Sequence, residues 1–201
     1  MSYVSEDDME KYLYLTEVEW ADAWVNGGDI PIALASSYLS DNREGIYTPD
    51  ENLIHDSPVD LKGLSPFLHI ADGAQVKGLT MTNNTVNGRK MPDVVNASYF
   101  NEDGLILSLC NEFSPDIAKE MGKKCCVKII NVEKLRRVID KQLGCKGRMD
   151  DCLYTNNHER NHFLKSIDDS WQKEYRLFWR SLESKWVKLP AGMAEFVCEF
   201  E

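Results

Sequence analysis

The chain has 201 residues, 43% of them hydrophobic, and its 33 acidic side chains outnumber 23 basic ones for a formal net charge of −10. That length suffices for a proper core, so one domain spanning 1–201 is the expectation, and no apolar run approaches the length of a membrane span. The opening Met1–Asp8 is acidic where a secretory signal would be basic and then apolar, which predicts a cytoplasmic protein whose bulk surface repels nucleic acid and does not engage a membrane.

Charge is unevenly spread. Residues 1–114 carry 6 basic and 19 acidic side chains, residues 115–201 carry 17 and 14, and Lys119 to Arg148 alone holds 10 basic and 3 acidic. This basic strip either meets a phosphate-bearing ligand or is the solvated face of a helix. The cysteines Cys110, Cys125, Cys126, Cys145, Cys152 and Cys198 are scattered, several within apolar runs, as reduced buried thiols would be.

Tyr12-Leu13-Tyr14-Leu15 reads as a first strand. Thr16 with Glu19 three residues on forms a capping-box pattern for a helix that Gly27-Gly28 closes. Asp29 to Ala35 reads as a second strand, with Pro31 near a sheet edge. From about 36 to 101 turn signals dominate, predicting short strands and ligand-covering loops. Gly104 to Cys110 is a buried strand, Ser114-Pro115-Asp116 opens a short helix, and Cys125 to Ile130 is another strand. Asn131 caps a helix through Leu143 whose apolar stripe is Val132, Leu135, Val138 and Ile139, leaving Lys134, Arg136, Arg137 and Lys141 largely outside it. Residues 145–162 read as polar turns, Trp171 to Trp179 as an alternating strand, and Trp186 to Leu189 and Met193 to Cys198 as two closing strands. The fold class is α+β, with mixed or antiparallel sheets and a few short helices.

Alternation over Trp171–Trp179 puts Gln172, Glu174 and Arg176 on one face and Tyr175, Leu177 and Trp179 on the other. That face is either a solvated surface or a ligand site. A literal H-E-x-x-H is present at His158, Glu159 and His162, a spacing that on a packed helix binds zinc with the glutamate polarising a metal-bound water. The segment has no apolar stripe and no third ligand at a familiar interval, so polar loop histidines are the simpler reading and no metal ligand is assigned. Nucleophile-elbow, phosphate-loop and dinucleotide motifs are absent from the sequence.

The pattern Lys165…Trp171-Gln172-Lys173-Glu174-Tyr175-Arg176-Leu177 resembles the closing signature of a family of uncharacterised bacterial and phage proteins, in which a lysine precedes an aromatic and an E-x-E-x-R strand. Lys11 to Thr16, Ile106 to Cys110 and Glu120 to Val127 resemble that family's earlier blocks. More distantly, the same order is similar to the ADP-ribosyltransferase superfamily. There, a first strand contributes a polar residue to the ribose, a middle strand a serine and a late strand Q/E-x-E. This resemblance implies an ADP-ribosyltransferase-like fold, NAD as substrate, and modification of a protein or nucleic acid in bacterial or phage conflict. Glu174 would stabilise the oxocarbenium ion that forms as the glycosidic bond breaks, and Gln172 would orient the acceptor. Tyr14, Thr16, Ser108 and Arg176 would contact the cofactor. The sequence departs from the pattern in two places: the first-strand histidine or arginine of such enzymes is here Tyr14 or Leu13, and Gln172 replaces the first carboxylate. Two rival functions stay open, a non-enzymatic acidic protein that blocks a host partner and a zinc hydrolase at His158, Glu159 and His162.

Overall fold

The computed structural model describes residues 10–38, 75–91, 93–100, 103–156, 161–181 and 183–200. In chain order the elements are β1 (Lys11–Leu15), a 3-10 turn (Val18–Trp20) running into α1 (Ala21–Val25), β2 (Gly28–Ile32), a second 3-10 turn (Ala35–Tyr38), β3 (Gln75–Met81), β4 (Thr85–Val86), β5 (Arg89–Lys90), β6 (Val94–Phe100) and β7 (Gly104–Cys110). Then follow α2 (Pro115–Glu120), β8 (Cys125–Ile129), α3 (Val132–Leu143), β9 (Arg148–Asp151), β10 (Leu153–Thr155), β11 (Leu164–Ser166), a third 3-10 helix (Ile167–Gln172), β12 (Glu174–Arg180), β13 (Lys185–Leu189) and β14 (Ala194–Glu199). The protein is α+β, built mostly from antiparallel sheet with few, short helices. Among the described residues, no helix is long and apolar enough to cross a membrane.

Six strands form the main sheet in the order β14-β8-β1-β7-β12-β9, each antiparallel to its neighbours. Registers tie the sheet into rows: Tyr12 faces Cys110, which faces Glu174, and in the next row Ser108 faces Arg176, which faces Asp150. One side carries Leu13, Leu15, Leu105, Leu107, Leu109, Val127, Ile129, Leu177 and Trp179, packed on Trp24 of α1, Leu135 and Ile139 of α3 and the β2–β13 pair. Burying such side chains stabilises the fold by about 2 kcal/mol each, which is what holds β12 in place. Cys110, Cys125 and Cys126 lie inside the sheet, and burial pushes their thiols up, Cys126 to about 12.

Local signals explain the well-formed helices. Ser114 Oγ accepts from Ile117 N at the start of α2, and Asn131 Oδ1 accepts from Lys134 N, 2.7 Å away, at the start of α3. Gly144 ends α3 at φ 70.

Four expectations need correction. Thr16 caps no helix: Glu17 is the N-cap of the first 3-10 turn, without a side-chain bond, and Thr16 Oγ1 instead accepts from Lys123 Nζ at 3.1 Å. Arg136 is not on a solvated strip but buried, held by Glu133 at 2.6 Å and Asp140 at 2.5 Å. The 145–162 segment contains β9 and β10 rather than turns alone. The strand expected from Trp171 begins only at Glu174, because Ile167–Gln172 is a 3-10 helix and Lys173 takes a left-handed conformation, φ 48. Within the expected loop-rich stretch, β3 to β6 are short strands, while 39–74 lies outside the described residues.

Candidate functional site

The site forms because β12 is covered on both faces. Its apolar side meets the core, and opposite it Glu174 is 4% exposed and Arg176 fully buried. This excludes the solvated-face reading of the Gln172–Arg176 alternation. The cover is the parallel β10–β11 ribbon and the 3-10 helix that follows it. Ser166 Oγ accepts from Asp168 N and starts that helix; at its other end the left-handed Lys173 turns the chain into β12. Gln172 therefore reaches Glu174 by folding back over it, not by sitting two places before it on one strand.

Lys165, 1% exposed, lies at the centre. Its ammonium donates to Gln172 Oε1 at 2.5 Å and to Glu174 Oε2 at 2.9 Å, with Asp169 Oδ2 at 3.8 Å. Arg176 Nη2 stands 3.0 Å from the same Glu174 oxygen, and its Nη1 donates to the His162 carbonyl at 3.0 Å. Gln172 Nε2 donates to Asp169 Oδ1 at 3.2 Å, and Glu174 N donates to the Tyr154 hydroxyl at 2.9 Å. Two cations and two carboxylates balance, which is how so dry a set is tolerated. Burial by itself would raise the Glu174 carboxyl; the charges of Arg176 and Lys165, with hydrogen bonds from Lys165 and Ser108, outweigh it and hold the group below its ordinary value. Glu174 is thus an ionised carboxylate in a water-poor setting, positioned by two cations.

Of the residues expected at the site, Gln172, Glu174, Arg176 and Ser108 come together. Tyr14 has the parity of the same sheet face, but its hydroxyl donates to Glu112 O at 2.9 Å and accepts from Ser114 N at 2.7 Å, pinning the β7–α2 turn. Burial raises its phenol. Thr16 does not join: it lies four residues beyond Tyr12, a path of about 13 Å along an extended chain. His158 and Glu159 fall outside the described residues, while His162 is buried with its ring stacked on Phe178 at 4.1 Å. Among the described residues, no group of three or more His, Cys, Asp or Glu side chains could hold a metal ion. Tyr154 is the contributor that sequence reasoning missed; β10 is three residues long and has no periodicity to reveal it.

A groove of about 800 Å³ opens on the other side of the sheet, between the start of α3 and the ends of β1, β9 and β12. Lys11 lines it with its ammonium 4.4 Å from the Tyr175 ring centroid and 2.6 Å from Asn111 Oδ1, and Asn111 Nδ2 continues the chain to Asp151 at 2.7 Å. Burial lowers the Lys11 ammonium from its ordinary value. None of the six expected site residues lines this groove.

Fold and site together define an α+β protein whose antiparallel sheet holds a buried, charge-balanced Lys-Gln-Glu-Arg cluster on one face. The chain matches no family model, no curated protein and no solved structure.

Proposed function

We propose that the protein is an ADP-ribosyltransferase-like enzyme that breaks the nicotinamide–ribose bond of NAD and passes ADP-ribose to a protein or nucleic acid. The observation that supports this reading is one of register. The blocks that carry the resemblance reach four adjacent strands, β8, β1, β7 and β12, with Ser108 and Glu174 on one face and Gln172 held to Glu174 through Lys165. In this reading the ionised Glu174 stabilises the ribose cation, Gln172 orients the acceptor, and the buried Arg176 and Lys165 aim the carboxylate. The test is incubation of the protein with labelled NAD and cell lysate. Label transfer or nicotinamide release is expected, falling by about 100-fold or more in Glu174→Gln, as when one electrostatic group is removed from an active site. No NAD turnover, or an unchanged rate in a folded Glu174→Gln variant, overturns the proposal.

A second reading is favoured by the same carboxylate being 4% exposed and already engaged by Lys165 and Arg176. Here the cluster is a structural keystone and the protein acts by binding a partner through its acidic surface. That reading requires co-purification with one macromolecule, weakening at high salt, and a Glu174→Gln variant that loses stability but retains the partner.

A further inference from the structure

A surface unlike the rest of this acidic chain lies where α3 ends against β13. Alternation along β13 sends Val187 and Leu189 into the core and turns Trp186 and Lys188 outward, and Trp186 is 71% exposed. The strand is clamped to α3 by Gln142, whose side chain accepts from Lys188 N at 2.8 Å and donates to Lys188 O at 2.8 Å. On the partner strand Pro31 stands opposite Trp186, so the indole projects from a firm base. Beside it is a hollow of about 220 Å³ lined by Leu105, Leu143, Cys145, Arg180, Lys185 and Trp186 among others, with no carboxylate among its described lining residues. Lys141 and Lys146 flank the lining residues Gln142 and Cys145 in the chain. Residues 141–146 and 180–188 hold five basic side chains and one acidic one, Glu183, in a protein of net charge −10. Glu183 contacts Lys185, whose side chain is about half-buried while that of Glu183 is largely exposed, and a pair so open to solvent is weak enough for a phosphate to displace.

A large exposed aromatic ring beside cations, over a hollow that mixes the apolar Leu105, Leu143 and Val187 with the polar Gln142, Ser181 and Lys185, has the chemistry of a stacking platform with a phosphate rail. We propose that this face binds single-stranded nucleic acid, with one base on the Trp186 ring or in the hollow beside it and the flanking phosphates on Arg180, Lys185 and Lys146. The strongly acidic remainder confines binding to this patch and disfavours duplex, whose bases are stacked away from a ring. Lys188, outward-facing on the same strand, extends the rail. The site shares no residue with the Glu174 cluster, so it stands or falls separately from the transferase reading.

The test is fluorescence anisotropy of the full chain, without NAD, using labelled oligothymidylate and oligouridylate of about twelve nucleotides, within the usual site size of such platforms. Micromolar binding is expected, about 10- to 20-fold weaker between roughly 50 and 200 mM salt if three phosphates are neutralised. Trp186→Ala should weaken it about 5- to 100-fold with an unchanged melting temperature, since the ring is exposed. Arg180→Ala and Lys185→Ala should flatten the salt dependence. Photocrosslinks from a 4-thiouridine oligomer should map to Trp186 or its neighbours. Absence of binding at low salt, equal binding of duplex or of base-free heparin, wild-type affinity in Trp186→Ala, or crosslinks elsewhere on the chain would each overturn the proposal.

Discussion

Replacing Lys165 by methionine keeps the length of the aliphatic stem and deletes the ammonium that joins Gln172 to Glu174. Breaking a buried pair by removing one partner costs about 3–5 kcal/mol, because the remaining charge is left in a dry site. Arg176 still stands 3.0 Å from Glu174 Oε2, so the loss falls at the lower end, about 3 kcal/mol. For a chain of this size that lowers the melting temperature by about 6–12 °C. The decisive variant is Lys165→Met combined with Glu174→Gln. Each single change unbalances the two cations against Glu174 and Asp169, whereas the pair restores neutrality, so the double variant should be more stable than the sum of the singles by about 1–3 kcal/mol. Urea unfolding with an unchanged slope measures all three. A loss under about 1 kcal/mol in Lys165→Met, or strict additivity, would refute the account of the cluster as one electrostatic unit.

Two further outcomes follow from packing and charge. A Cβ on Gly147 would run into the Trp179 indole, whose Nε1 donates to Asp140 Oδ1 at 2.6 Å, so Gly147→Ala should cost about 1–3 kcal/mol in the same unfolding assay. The Arg136 hydrogen bond leads the effects that bring the Glu133 carboxyl down to about 2, with Arg137 adding to it against a smaller effect of burial. A depressed carboxyl stabilises the fold above its unfolded value and loses that stabilisation as pH falls from about 4.5 toward 2. Glu133→Gln should therefore flatten the acid limb of a stability–pH curve, and an unchanged limb would contradict the assignment.

Elements with strong local chemistry were legible in the sequence. The Asn131 cap, the apolar stripe through Ile139 and Gly144 define α3 from end to end, and the β7 run, apolar but for Ser108, could be little else. Edge and covering elements were not. β9 reads Arg-Met-Asp-Asp, with one long apolar side chain, and pairs on one side only, so no periodicity betrays it. Arg136 looked solvated because helical spacing ranks residues by hydrophobicity; its burial depends on Glu133 three before and Asp140 four after, a pairing that spacing does encode. At the site, alternation brought Gln172 and Glu174 together for the wrong reason. The left-handed Lys173 breaks the strand between them, and the contact depends on Lys165 from another element.

The sheet order also bears on how the chain reaches its fold. No two neighbours in the six-stranded sheet are consecutive strands, and β1, near its middle, pairs with Cys110 of β7 and with β8 as far as Ile129. From Lys11 to Ile129 the ribosome must add 118 residues, which at about 5–20 residues per second leaves Tyr12-Leu13-Tyr14-Leu15 without its full set of strand partners for roughly 6–24 s. An apolar strand made early and paired late is where a chaperone would be expected to hold the nascent protein, and where crowded synthesis would favour aggregation over folding.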